Sequence, residues 1–176
     1  LYSHPNEYLH LQADGSIRVR IDSDGLKFGS DSAASSALDD YEQGVHNPTI
    51  GCSTSGTLGL NSSVNTLQYT KIGNWIQVQG FVEINSVSSG VGYVTLSMPV
   101  ANQNQSEYSG AAVGSIIVSH PTNPINCDRY ALYMLAGASE VRIYATDGGS
   151  LQADSANNIT TAGGADLYLS ISYRTQ

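Results

Sequence analysis

Apolar and polar positions alternate along much of this chain. In "WIQVQGFVEI" (75–84), Ile76, Val78, Val82 and Ile84 fall on one face, and Trp75, Gln77, Gln79, Phe81 and Glu83 on the other. A period of two belongs to a strand with one face buried against a core. The same alternation puts Leu167, Leu169, Ile171 and Tyr173 on one side of "DLYLSISY" (166–173). Further β-rich runs lie at 67–72, 93–98, 112–119, 130–136 and 141–146. Only Gly73 and Asn74 separate the first of these from residue 75, a two-residue link of the kind that closes a hairpin. Asp147-Gly148-Gly149 and Gly163-Gly164 mark later turns. No window of 12 residues carries a helical period. Seven or eight strands joined by turns predict an antiparallel β-sandwich or jelly roll over residues 45–176.

The first part of the chain is built differently. Residues 9–28, "LHLQADGSIRVRIDSDGLKF", read as three short strands broken at Asp14-Gly15 and Asp24-Gly25. Ile17, Val19 and Ile21 share one face, Arg18 and Arg20 the other. Three strands this short do not make an independently stable sheet. They need a partner, and further copies of the same segment are the simplest one. Residues 30–44, "SDSAASSALDDYEQG", predict a helical turn or two, with Ser30 or Asp31 as cap and Gly44 as stop. Asn47-Pro48 then forces extended backbone. The expected organisation is a β-stranded stalk and joint over residues 1–44, followed by the β domain.

Composition sharpens this picture. Charged residues make up 12% of the 176, about half the usual share, so Ser, Thr, Asn, Gln and Gly must supply the polar surface. Eleven tyrosines and many Val and Ile argue against disorder. The net charge is −8, of which residues 1–44 carry −5. An acidic chain without a basic stripe is poorly suited to nucleic acid or to an anionic membrane surface. No apolar run reaches transmembrane length. The chain opens on Leu1 with no signal-peptide pattern behind it, which reads as an excised piece of something longer. Cys52 and Cys127 lie 75 positions apart, too far for a zinc motif; two free thiols are expected, with a single bridge as the alternative.

Few constellations carry chemistry. Asp39, Asp40 and Glu42 sit together in a polar, Ser-rich stretch, whereas acid–base catalysis wants two carboxylates held across a cleft. They read as a solvated joint. Calcium is the weaker alternative, there or at Asp22-Ser23-Asp24-Gly25, which opens like a calcium loop but lacks the later acids. His4, His10, His46 and His120 are scattered, without the spacing of a zinc site. No nucleophile elbow, P-loop or dinucleotide fingerprint is present. Catalytic residues, metals and cofactors are therefore expected to be none. The strand tyrosines read as core edge. Tyr108 differs: it lies in "ANQNQSEYSG" (101–110), a loop of amides and hydroxyls, the surroundings in which a ring packs on sugar C–H groups. The candidate ligand contacts are Asn104, Gln105 and Tyr108 in that loop, with His120 and Asn123 in "SHPTNP".

One stretch carries a resemblance. "ALDDYEQGVHNPTI" (37–50) resembles the "LDDYEEGTWTP" segment of bacteriophage tail fibres and tailspikes, through Leu38-Asp39-Asp40-Tyr41-Glu42, Gly44 and Pro48. "YTKIGNWIQVQGFVEI" (69–84) is similar to a hairpin of the same group, and "RIDSDGLKFGSDS" to its shaft edge. His46 stands where the family usually has tryptophan. The resemblance implies a homotrimeric virion appendage, extracellular on the phage tail. Its C-terminal β domain would bind a bacterial surface receptor, commonly a polysaccharide. Depolymerase activity in the family usually sits in a separate β-helical domain. The expected partners are two further copies of this chain, a bacterial surface glycan and the rest of the fibre or tailspike, with no nucleic acid and no membrane insertion. The rival readings are a purely structural trimerisation tip and a polysaccharide hydrolase or esterase.

Overall fold

The computed structural model describes residues 8–32, 38, 41–121, 129–152, 155–160 and 162–175. The chain divides into two compact units, Leu1–Glu42 with Lys71–Gly73, and Gln43–Thr70 with Asn74–Gln176.

In the first unit, β1 (Leu9–Ala13), β2 (Ser16–Asp22) and β3 (Gly25–Phe28) form an antiparallel sheet in sequence order. Asp14 and Gly15 both have positive φ, 51° and 71°, as a two-residue hairpin turn requires. Cross-strand partners share a face. Leu9, Ile21 and Leu26 therefore line up, as do Leu11, Val19 and Phe28. Leu11 and Phe28 remain 55% and 61% exposed, so this apolar face is open within the chain. The opposite face is networked. Lys27, fully buried, places Nζ 2.6 Å from Asp24 Oδ2 and 3.1 Å from Asp22 Oδ2. Arg20 pairs with Asp22 at 2.5 Å and lies over the Tyr8 ring. The two carboxylates that could have begun a calcium loop thus surround the chain's own ammonium group.

The second unit is a curled antiparallel sheet. Its strands are β4 (Tyr41–His46), β5 (Ile50–Cys52), β6 (Ser55–Ile72), β7 (Trp75–Val91) and β8 (Val94–Ser97), of which residues 41–42 and 71–72 are counted with the first unit. They continue with β9 (Ala112–Ser119), β10 (Arg129–Met134), β11 (Glu140–Asp147), β12 (Ser150–Gln152) and β13 (Ala165–Arg174). The order across the sheet is β4-β6-β7-β13-β9-β10-β11-β8-β5, with β12 beside β11. The first and last of these, β4 and β5, are joined by only Asn47-Pro48-Thr49. The sheet must therefore bend back on itself. His46 Nε2 meets the Ser97 carbonyl and hydroxyl at 3.0 and 3.1 Å, and Thr49 N–H donates to Ser97 Oγ at 2.9 Å.

The inner face is the core. Ile76, Val78, Val82 and Ile84 from β7 and Leu167, Leu169, Ile171 and Tyr173 from β13 are buried, as their alternation predicts. Val94, Leu96, Leu132, Met134, Val141 and Ile143 complete it from the facing strands. A short helix, α1 (Ser155–Ile159), packs Ala156 and Ile159 into this core. Ser155 donates to the Ile143 carbonyl and accepts from Val94 N–H. Five residues are too few to show a helical period in sequence.

Two expectations change. Gly44 is not a helix stop: Tyr41–His46 is strand, and of residues 30–40 only 30–32 and 38 are described. Leu38 forms a bridge with Leu26. The hairpin predicted at 67–72 and 75–84 is far longer, with arms of 18 and 17 residues. Its outer halves are Ser-, Asn- and Gly-rich, with weak β propensity; pairing between the arms, not side-chain preference, holds them. Among the described residues no helix is long and apolar enough to cross a membrane.

Candidate functional site

The loop after β8 is held close to the end of β13. Asn102, fully buried, pairs with Thr175 in a single bridge and donates from Nδ2 to the carbonyls of Gly110 (2.5 Å) and Leu135 (3.0 Å). Gln103 N–H donates to the Arg174 carbonyl at 2.8 Å, and Gly137 N–H to the Gln103 carbonyl at 3.2 Å. Beyond this base the loop makes one 3₁₀ turn, Ser106–Tyr108. Glu107 and Tyr108 are both left-handed there, with φ of 57° and 58°.

Between loop and sheet lies a cleft of about 590 Å³. Gln103, Gln105 and residues 109–111 line one side, with Val113 from β9. Trp75, Ser172 and Arg174 line the other. Trp75 opens β7 and is the cross-strand partner of Arg174, so indole and guanidinium stand side by side on the outer face. Trp75 is 48% exposed. Tyr173, the residue before Arg174, turns inward to the core and donates to the Val100 carbonyl at 2.8 Å; burial pushes its phenol well above the usual range. The cleft therefore combines an apolar plate, two amides, hydroxyls and one cation, and no carboxylate lines it among the described residues.

The predicted contacts are only partly brought together. Gln105 lines the cleft. Asn104, on the same loop, lies against Gly137 instead. Tyr108, 75% exposed, projects from the turn and does not form a wall. His120 sits elsewhere: its Nδ1 is 3.0 Å from Ser119 Oγ and 3.2 Å from Asp166 Oδ2. Asp166 and Arg174 are at opposite ends of β13, eight residues and so about 26 Å apart. Asn123 lies outside the described residues, as do His4, Asp39, Asp40 and Cys127. Sequence reasoning missed Trp75, Gln103 and Arg174. The available signal was an aromatic residue at an outward position of an alternating strand, directly after a turn.

A second, shallower depression of about 420 Å³ lies on the outer face of β4, β6 and β7, lined by Gln43, Val45, Gln68, Thr70, Gln77 and Gln79. Gln77 is already committed to Ser170 and Ser172. On the same face Phe81 stacks on Tyr168 with ring centres 4.6 Å apart, and Ile117 follows in register. Farther round the sheet, Arg142 lies over the Tyr93 ring at 4.8 Å. Among the described residues no three His, Cys, Asp or Glu side chains gather as a metal site would need.

The curled, all-β antiparallel domain is tailspike-like in fold. Its structural likeness is to the Dettilon tailspike protein (gp208), with a TM-score of 0.58 over 76% of this chain. At 17% identity the likeness is one of fold, and the chain spans 24% of that protein's length. No family model and no curated protein matches the chain in sequence.

Proposed function

We propose that this chain is the receptor-binding end of a phage tail fibre or tailspike. In this reading it is an all-β module of the virion that assembles as a homotrimer and holds a bacterial surface polysaccharide without cleaving it. The observation that carries the reading is the cleft: the chain's single tryptophan, half open to solvent, facing a loop of amides. A sugar offers C–H faces to an aromatic plate and hydroxyls to amides, and this wall supplies both. The tailspike-like fold and the resemblance around residues 38–48 and 69–84 supply the setting. Trimerisation is supported by the open apolar face of the first unit, with Leu9, Leu11, Ile21 and Phe28 exposed. Each polar contact with sugar is worth about 0.5–1.5 kcal/mol net, so one site binds weakly. Three sites on one assembly raise effective affinity by about 10²–10⁴ on a cell surface.

Fluorescently labelled protein should stain bacteria of the host that the parent particle infects, and soluble host polysaccharide should compete. Trp75→Ala and Gln105→Ala should each cut staining with unchanged melting temperature. Tyr108→Ala, from the same loop's exposed tip, should reduce it less. Staining that survives Trp75→Ala would move the site elsewhere on the domain. A parent protein that stains no such host would leave the structural tip as the better account, and release of reducing sugar would favour the hydrolase.

A further inference from the structure

The glycan reading leaves one group in the cleft unexplained. Arg174 is exposed, and among the described residues its guanidinium has no carboxylate, carbonyl or ring partner. Three other cations of the chain are visibly engaged. Lys27 and Arg20 meet Asp22, and Arg142 lies over the Tyr93 ring. The chain as a whole carries −8, so a bare cation on a cleft wall is not a by-product of a basic surface. It is also rigidly placed. Its backbone pairs with Trp75 of β7 on one side, and on the other its carbonyl is bound by Gln103 N–H from the loop.

Resting on the reading above, we propose that the cleft takes an acidic sugar. The carboxylate of a uronic or similar sugar acid sits on Arg174, and the sugar ring lies on Trp75. Guanidinium is the side chain whose planar fork matches a carboxylate with two parallel hydrogen bonds. Trp75 and Arg174 are cross-strand neighbours, so ring plate and cation are adjacent, as the ring and its carboxylate are in a uronic acid. Gln103 and Gln105 stand across the cleft for the hydroxyls. A neutral sugar in the same place would cover the guanidinium and leave it without an acceptor, which opposes binding. The missing charged hydrogen bonds correspond to about a 10- to 100-fold preference for the acidic ligand.

Because Trp75 is the only tryptophan, its fluorescence reports the cleft directly. One measurement needs no ligand. At low salt, the ratio of iodide to caesium quenching should fall about two- to fivefold in Arg174→Gln, since one unneutralised charge nearby enriches anions by that order. An unchanged ratio means that the charge is already neutralised, and the proposal fails. The second measurement uses capsular polysaccharides containing glucuronic or galacturonic acid, each also in carboxyl-reduced form. Binding should drop about 10- to 100-fold on carboxyl reduction and equally in Arg174→Gln, with Arg174→Lys intermediate and melting unchanged. If reduced and native polysaccharides bind alike, or only neutral ones bind, the acidic assignment is overturned and the glycan reading stands. If none changes Trp75 fluorescence or binds the protein, both fail together.

Discussion

A methyl group on Gly44 would come within 2.6 Å of the Tyr69 hydroxyl and 2.7 Å of its ring carbons. This explains the glycine in "DDYEQG": not a helix stop but a strand position over which a tyrosine ring lies. Gly44→Ala should destabilise the second unit by about 1–3 kcal/mol, because the ring must move off its place; thermal melting checks this, and an unshifted transition would deny the contact. His46 makes sense at the same scale. Where the resembling family has tryptophan, this chain ties β4 to β8 by hydrogen bonds to Ser97 rather than by an apolar plate. Asn102, unremarkable within an amide-rich loop, is the buried staple of the cleft. Asn102→Ala strands the carbonyls of Gly110 and Leu135, at a cost of about 1–3 kcal/mol, and should weaken the proposed glycan binding along with stability.

The β2–β3 hairpin shows how an element can be held by charge. Asp22 is buried, which by itself raises its carboxyl pKa. The Asp24 N–H, Lys27 and Arg20 outweigh that and hold it below its ordinary 3.8. Lys27 is raised above 10.5, chiefly by its hydrogen bond to Asp24 against the opposing effect of burial. A depressed carboxyl adds stability above its unfolded value and loses it as pH falls through the folded one. A raised ammonium adds stability below its unfolded value and loses it as pH rises through the folded one. The first unit should therefore be most stable between about pH 5 and 9, and loosen below about 4 and above about 10.5. Lys27→Met should remove the alkaline limb, as followed by amide exchange of β2 and β3. The element scale also separates the hairpins β1–β2 and β6–β7. Their turns were legible, since Asp14-Gly15 and Gly73-Asn74 leave few backbone choices. The length of β6 and β7 was not, since their outer halves contain mostly serine, asparagine and glycine.

For the whole molecule, the open apolar face of the first unit is the feature that asks for a partner. A homotrimer predicts a light-scattering mass three times the 18.6 kDa chain, about 56 kDa. Deleting residues 1–30 should lower the association constant, since folding of so thin a sheet is tied to assembly; a stable monomer of the intact chain would end the trimer reading. The sequence by itself determined the fold class. Alternation in β7 and β13 assigned Ile76, Val78, Leu167 and Leu169 to the core, because a period of two leaves one face for water and one for burial. It also marked the loop at 101–110 as polar. Only the tertiary structure decided the site. Trp75 and Arg174 are 99 positions apart and meet because β13 returns to pair with β7. His120 and Gln105 are 15 positions apart, yet β9 carries the chain from one end of β13 to the other between them. Which outward side chains become neighbours depends on strand order and register, and these follow from long-range pairing across a sheet that closes on itself, which no local pattern encodes.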